Sequence, residues 1–138
     1  MPHPPLPTEI ERFVRAPRPA VIGTVRADGS PWTTATWYDW RDGRVVISMV
    51  AGAPRHRNLL DRPAVAMTVL GEDWYDHVSL RGRVTELRDD PELTDLDALS
   101  RRYVGTPYGK RELSCVTAFV EIDRWHTWGD PASADNRR

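Results

Sequence analysis

This chain has little of several things that decide function in other proteins. Its 138 residues include one cysteine, Cys115, which excludes an internal disulfide framework and a zinc cluster built on cysteines. Four histidines are present, His3, His56, His77 and His126. None stands at the i,i+4 or H-x-H spacing of a metal pair, and no carboxylate cluster flanks them, so no metal site is expected. Neither charge is in excess: 19 basic residues against 20 acidic ones leave a formal net charge of -1. A general nucleic-acid binder carries a basic surplus, so that class is set aside. No segment approaches the length of a membrane span, and the start, Met1-Pro2-His3-Pro4-Pro5, lacks the apolar core of a signal peptide. A soluble, cytoplasmic protein without a membrane partner is expected. The chain also has no G-x-G-x-x-G, no P-loop and no G-x-S-x-G elbow, which leaves common nucleotide sites and nucleophilic hydrolysis unsupported.

Turn and strand signals are plentiful. The length suits one domain. Residues 1–7 are proline-rich and read as extended. Thr8 stands where it can cap a short helix, Glu9 to Val14, with Glu11 at the capping-box position. Asp28-Gly29 joins two strands, Val21–Arg26 and Pro31–Trp40, and Asp42-Gly43 leads into a third, Arg44–Val50. Further strands read over Ala64–Leu70, His77–Leu87 and Leu113–Arg124. A helix opens at Asp89-Asp90-Pro91-Glu92 and carries Leu93, Leu96, Leu99 and Tyr103 on one apolar face. The end of the chain, 129–138, reads as a polar, disordered tail. About six antiparallel strands with short flanking helices predict a mainly β fold, a small antiparallel barrel. On the strand Pro31–Trp40, Trp32, Thr34, Thr36, Tyr38 and Trp40 share one face, while Trp37 lies on the other. Bulky aromatics on both faces predict that one fills the barrel and the other meets a ligand or a second subunit.

The stretch Val46–Met67 is the most specific. An apolar strand enters a small-residue turn, Ala51-Gly52-Ala53-Pro54, and Arg55-His56-Arg57-Asn58 follows. Pro54 has its φ set for a first helical turn, where its missing N–H costs nothing. The free N–H groups of that turn and two guanidinium groups beside them suit a phosphate or carboxylate. A solvated basic turn between two strands is the plainer reading of the same residues. Cys115, in the apolar run Ser114–Ile122, reads as a buried inert thiol. The tryptophan-rich segments Trp74-Tyr75 and Trp125–Trp128 offer flat apolar surfaces for a ring, or for packing against another subunit.

The order of these elements resembles a known family. Ala20-Val21-Ile22-Gly23-Thr24-Val25, then Asp28-Gly29-Ser30-Pro31, Ile47-Ser48-Met49, Arg55-x-Arg57-Asn58-Leu59, Asp61-Arg62-Pro63 and the Gly82 strand follow one another over residues 8–128. This pattern is similar to the pyridoxamine 5′-phosphate oxidase-like split barrels, and most to their actinobacterial branch that uses the deazaflavin coenzyme F420. The resemblance implies a split β-barrel, a homodimer with cofactor sites at the subunit interface, and a small-molecule substrate. It implies that Arg55, Arg57 and Asn58 hold the cofactor phosphate or acidic tail. By the same resemblance Ser48, Met49 and Val50 run beside the flavin-like ring, Trp74 packs on it, and Thr34 and Thr36 line the pocket. The arginine-rich strand motif of true pyridoxamine phosphate oxidases is not found, which argues against that particular activity.

The implied reaction is hydride transfer from reduced F420 to an unsaturated small molecule, with the cofactor carrying the reactive atom. FMN is the alternative cofactor, and a non-catalytic flavin, deazaflavin or tetrapyrrole binding protein is the alternative role, because fold alone does not decide the reaction. No catalytic residue is assigned; solvent, Tyr38, Tyr75 or His126 are the candidate proton sources.

Overall fold

Seven antiparallel strands and three short helices make up the structure, a computed structural model that describes residues 1–131. In chain order these are α1 (Thr8–Arg15), β1 (Ala20–Val25), β2 (Pro31–Thr36), β3 (Asp39–Arg41), β4 (Arg44–Val50), α2 (Pro54–Asp61), β5 (Ala64–Leu70), β6 (His77–Asp89), α3 (Thr94–Val104) and β7 (Cys115–Trp128). All strands belong to one sheet, ordered β2-β1-β5-β6-β7-β4-β3. The long pair β6–β7 forms its spine. Register shifts at Arg81/Gly82 and Val84/Glu86 mark bulges, which bend such a ribbon. Gly82 is required there, because a Cβ would meet the Glu121 carbonyl oxygen at 2.0 Å.

The two turns behave as their residues dictate. Gly29 takes φ 85° and Asp28 accepts the Ser30 N–H at 2.9 Å. Asp42 and Gly43 both take positive φ, 53° and 75°, as a tight two-residue hairpin between twisted strands requires. Inside, Ile22, Val45, Ile47, Val69 and Val78 are fully buried, alternate residues of their strands pointing to one core.

Three expectations are corrected. Thr8 does not cap α1: Pro7 occupies that position without a side-chain bond, its carbonyl accepting the Ile10 and Glu11 N–H groups, while Glu11 pairs with Arg15 at 2.6 Å. The continuous strand Pro31–Trp40 is two strands, β2 and β3, at opposite edges of the sheet. The break lies at Trp37-Tyr38, where side chains satisfy the backbone in place of a ladder: Tyr103 Oη accepts the Tyr38 N–H (3.3 Å) and Arg102 donates to the Tyr38 carbonyl (2.9 Å). Seven strands therefore stand where about six were expected. The second long helix starts later than its acidic run suggests. Leu93 is left-handed (φ 59°), and the buried Asp90 carboxylate accepts the Asp95 and Leu96 N–H groups from outside α3.

The ends are tied more firmly than polar composition predicts. Pro2 and His3 carbonyls accept the backbone and indole N–H of Trp125. At the other end Asp130 N–H donates to Asp76 at 2.8 Å and Pro131 is buried, so the tail does not begin at 129. The rest of that expected tail, 132–138, lies outside the described residues.

Candidate functional site

The helix α2 forms where Pro54 predicts, with Pro54 in its first turn and Ala53 as the extended residue before it. Its inner face carries Asn58 and Leu59, both buried. Asn58 donates from its amide to Thr24 Oγ1 at 3.1 Å, which fastens α2 to β1. His56 is occupied as well: its Nδ1 accepts the Gly52 N–H at 2.9 Å, so in this arrangement the ring proton sits on Nε2. Arg57 points to solvent.

Arg55 alone of this basic group turns inward. Its Nη1 donates to Thr34 Oγ1 of β2 (3.3 Å) and its Nη2 to the Ser48 carbonyl of β4 (2.6 Å). The guanidinium thus bridges β2, at one edge of the sheet, to β4, next to the other edge, across the seam where the curled sheet stays open. Both partners are neutral. No carboxylate reaches it among the described residues, and burial pushes its pKa down, a sign that the charged form is under-compensated. An arginine remains protonated under any physiological condition, so a desolvated positive charge is present here.

Arg55 forms part of the wall of a cavity of about 810 Å³. That volume is within the range of small-molecule and cofactor pockets. Thr36, Ser48, Met49 and Val50 line it from the strands, and Thr36 Oγ1 donates to the Trp37 carbonyl. The Ser48 hydroxyl is buried and has only the weakly hydrogen-bonding Cys115 thiol near it. Under-satisfied polar atoms in native folds call for an explanation, and a ligand group is one. An uncompensated cation and an under-satisfied hydroxyl in one cavity fit an anionic, hydrogen-bonding cofactor. Thr34 is at the site through its bond to Arg55.

Three of the expected residues are not brought to this wall. Asn58 faces β1, Arg57 is exposed, and Trp74 lies on the β5–β6 loop with 83% of its surface exposed. The sequence reading also missed the far wall. Trp37, Tyr103 and Tyr108 stand there with Leu96, Leu99 and Leu113. The Leu96, Leu99, Tyr103 stripe was visible as an apolar helix face; that it faces a cavity was not. Cys115 also lines the cavity, beside Val50 across the β4–β7 pair, and burial pushes its thiol pKa up, which makes it a poor nucleophile.

The candidate proton sources fare differently. Tyr38 is fully buried, burial raises its pKa, and its hydroxyl donates to carbonyls of Val14 and Ala16, so it is a structural tie. Tyr75 and His126 do not line the cavity.

A mainly β, single-sheet fold with a cation-bearing helix at its open edge is a split barrel. The chain matches the pyridoxamine 5′-phosphate oxidase family over residues 6–129, and it belongs to that family. Among solved structures it is similar to an F420 reductase, at 26% identity and a TM-score of 0.80, covering 88% of this chain and 98% of that one. It is also similar to the conserved hypothetical protein Rv2991 of Mycobacterium tuberculosis (24% identity, TM-score 0.74, 94% and 88% covered). The General Stress Protein 26 of Bacillus anthracis shares the fold at 16% identity, with a TM-score of 0.65 and 87% and 91% covered. Comparison with the curated proteins gives no match. Among the described residues, no helix is long and apolar enough to cross a membrane. Family and neighbours together give this chain the split-barrel fold of the pyridoxamine 5′-phosphate oxidase family, a fold that an F420 reductase shares.

Proposed function

We propose that this protein is an oxidoreductase that uses reduced coenzyme F420 to reduce an unsaturated small molecule, and that it works as a homodimer. One observation carries the reading: Arg55, a half-buried cation with no counter-charge among the described residues, faces a cofactor-sized cavity. Its free energy improves when an anion arrives, because a charge-assisted bond replaces uncompensated desolvation. Arg55 then holds the phosphate of the cofactor, and Ser48, Met49 and Val50 support its ring along β4. Arg57, on the solvent side of α2, is placed for acidic groups that extend out of the cavity. When bound, the reduced deazaflavin supplies a hydride; the chain supplies position, water exclusion and the field of Arg55. A similar F420 reductase supports deazaflavin over FMN.

The dimer is supported by exposed aromatics. Trp74, Tyr75 and Trp128 are 83%, 62% and 53% exposed, with Tyr75 and Trp128 in edge contact at 6.3 Å. Such a patch is costly on a monomer. Light scattering at micromolar concentration should give the mass of two chains; a stable single chain overturns the dimer.

The cofactor test compares dissociation constants for F420 and FMN by calorimetry at one ionic strength, followed by loss of reduced-F420 absorbance with candidate acceptors. Tighter binding of FMN overturns the cofactor choice. Tight F420 binding without turnover on any acceptor gives the chain a carrier role in place of catalysis.

A further inference from the structure

We propose that the cavity wall formed by Trp37, Tyr103 and Tyr108 is the acceptor subsite, and that it takes an uncharged planar molecule whose oxygen accepts a hydrogen bond from the Tyr108 hydroxyl. This rests on the reading that Arg55 takes the anionic part of the cofactor at the other wall.

Charge excludes ionic acceptors. Among the described residues that line the cavity, Arg55 alone is charged. The acidic groups nearby are committed elsewhere. Asp97 is forked to Arg111 at 2.6 and 3.1 Å, and Asp95 takes the Thr117 hydroxyl together with Arg41. An ionic acceptor at this wall would lose hydration and meet leucines and rings.

Shape favours a plane. Trp37 stacks on Tyr103, centroids 5.6 Å apart and 11° from parallel, and Tyr108 meets Trp37 at 80° and 6.1 Å. Both tyrosines are anchored by groups outside the cavity. Tyr103 Oη donates to the Arg18 carbonyl (2.8 Å) and accepts the Tyr38 N–H. Tyr108 is fixed through its backbone: its N–H donates to Asp97 (3.0 Å) and its carbonyl accepts from Arg111 (3.0 Å). The two tyrosines differ in one respect. The Tyr103 hydroxyl is used up, whereas the Tyr108 hydroxyl bonds to nothing among the described residues. It is a donor on a rigid mount at the edge of an apolar wall.

Three probes with one ring system separate these claims: 2-acetylnaphthalene (neutral, with a carbonyl), naphthalene (neutral, without an acceptor) and 2-naphthoate (anionic). Their affinities are measured by calorimetry on the full chain, on Tyr108→Phe and on Arg55→Met. The acetyl compound should bind at least tenfold tighter than naphthoate to the Arg55→Met protein, where no cation lines the cavity. Tyr108→Phe should weaken it by about threefold to tenfold, the worth of a neutral hydrogen bond, and leave naphthalene unchanged. Equal binding of naphthoate to Arg55→Met, or an acetylnaphthalene affinity indifferent to Tyr108→Phe, overturns the proposal. Loss of acetylnaphthalene binding in Arg55→Met overturns it too, since the subsite would not then be separate from the anion site. Failure of the cofactor reading shows differently, as F420 affinity untouched by Arg55→Met.

Discussion

Arginines meet the interior at both α2 and α3, and the two helices treat them in opposite ways. Around α3 the charges that reach the interior, Asp95 and Arg102, are answered within the chain. Asp95, at 9% side-chain exposure, accepts Thr117 Oγ1 at 2.7 Å and pairs with Arg41 at 3.2 Å and Arg88 at 3.4 Å. Asp39 pairs with Arg41 and Arg102, and Arg102 also ties α3 to the carbonyls of Arg15 and Ala16. At α2, Arg55 meets two neutral oxygens and a cavity. A buried charge is tolerated when paired and is costly when not. The α3 network is thus what holding a fold looks like, and Arg55, without such partners, is the residue we propose to hold a ligand.

Removing a charge should therefore have opposite outcomes on the two sides. Asp95→Ala leaves Arg41 without its buried partner and Thr117 without an acceptor. Denaturant unfolding should show a loss of about 2–3 kcal/mol, below the full cost of breaking a buried pair because Arg41 and Arg88 are partly solvated. A loss under 0.5 kcal/mol, roughly that of an ordinary surface change, would dissolve the contrast. Arg55→Met should leave stability unchanged or raised, since it removes an uncompensated charge. It should instead cost tenfold to hundredfold in F420 affinity, about 1.5–3 kcal/mol for a charge-assisted bond. Marked destabilisation with unaltered affinity would make Arg55 a strut between β2 and β4.

Sequence alone revealed the parts of this contrast that are local. The Asp-Gly turns, the strand β4 and the Pro54 helix start are written in neighbouring residues, and each appears where its chemistry puts it. The split of β2 from β3 is not local. The alternation Trp32, Thr34, Thr36, Tyr38, Trp40 runs unbroken through it, and what ends β2 is Arg102 and Tyr103, more than sixty residues away. The aromatic lining was hidden for the same reason, since Trp37 and the neighbouring Tyr103 and Tyr108 come from two distant places in the chain. The orientation of α2 was partly readable. At about 100° per residue, Arg57 lies some 200° around the helix from Arg55, so both could not face one pocket. Which of them faces inward is decided by Asn58 and Leu59, buried against the sheet.

Acid should act first on the α3 side. Burial alone would raise the Asp95 carboxyl, but the Thr117 hydroxyl and the Arg41 guanidinium more than offset it and hold it below the usual range. A group with a depressed folded pKa contributes stability above its unfolded value, near pH 3.9, and loses it as pH falls through the lower folded value. Unfolding free energy should thus decline below about pH 4, and Asp95→Asn should flatten that decline. An acid limb of unchanged slope in Asp95→Asn would show that other carboxylates govern it.

The smallest effect should come from Arg57. It is exposed on α2, so any attraction to an anion acts through water and is screened within about 8–10 Å at ordinary salt. Exposed pairs are typically worth about 0.2–1 kcal/mol. Arg57→Ala should therefore reduce F420 affinity by no more than about fivefold at low ionic strength, and by little at high salt. The comparison with Arg55 is sharpest here, because the two arginines share a helix and a charge and differ in burial and in their contacts. Calorimetry of both variants across a salt series reads that difference directly. A loss at Arg57 that is as large as at Arg55, and as resistant to salt, would mean that exposure in the free chain misjudges its place in the bound one.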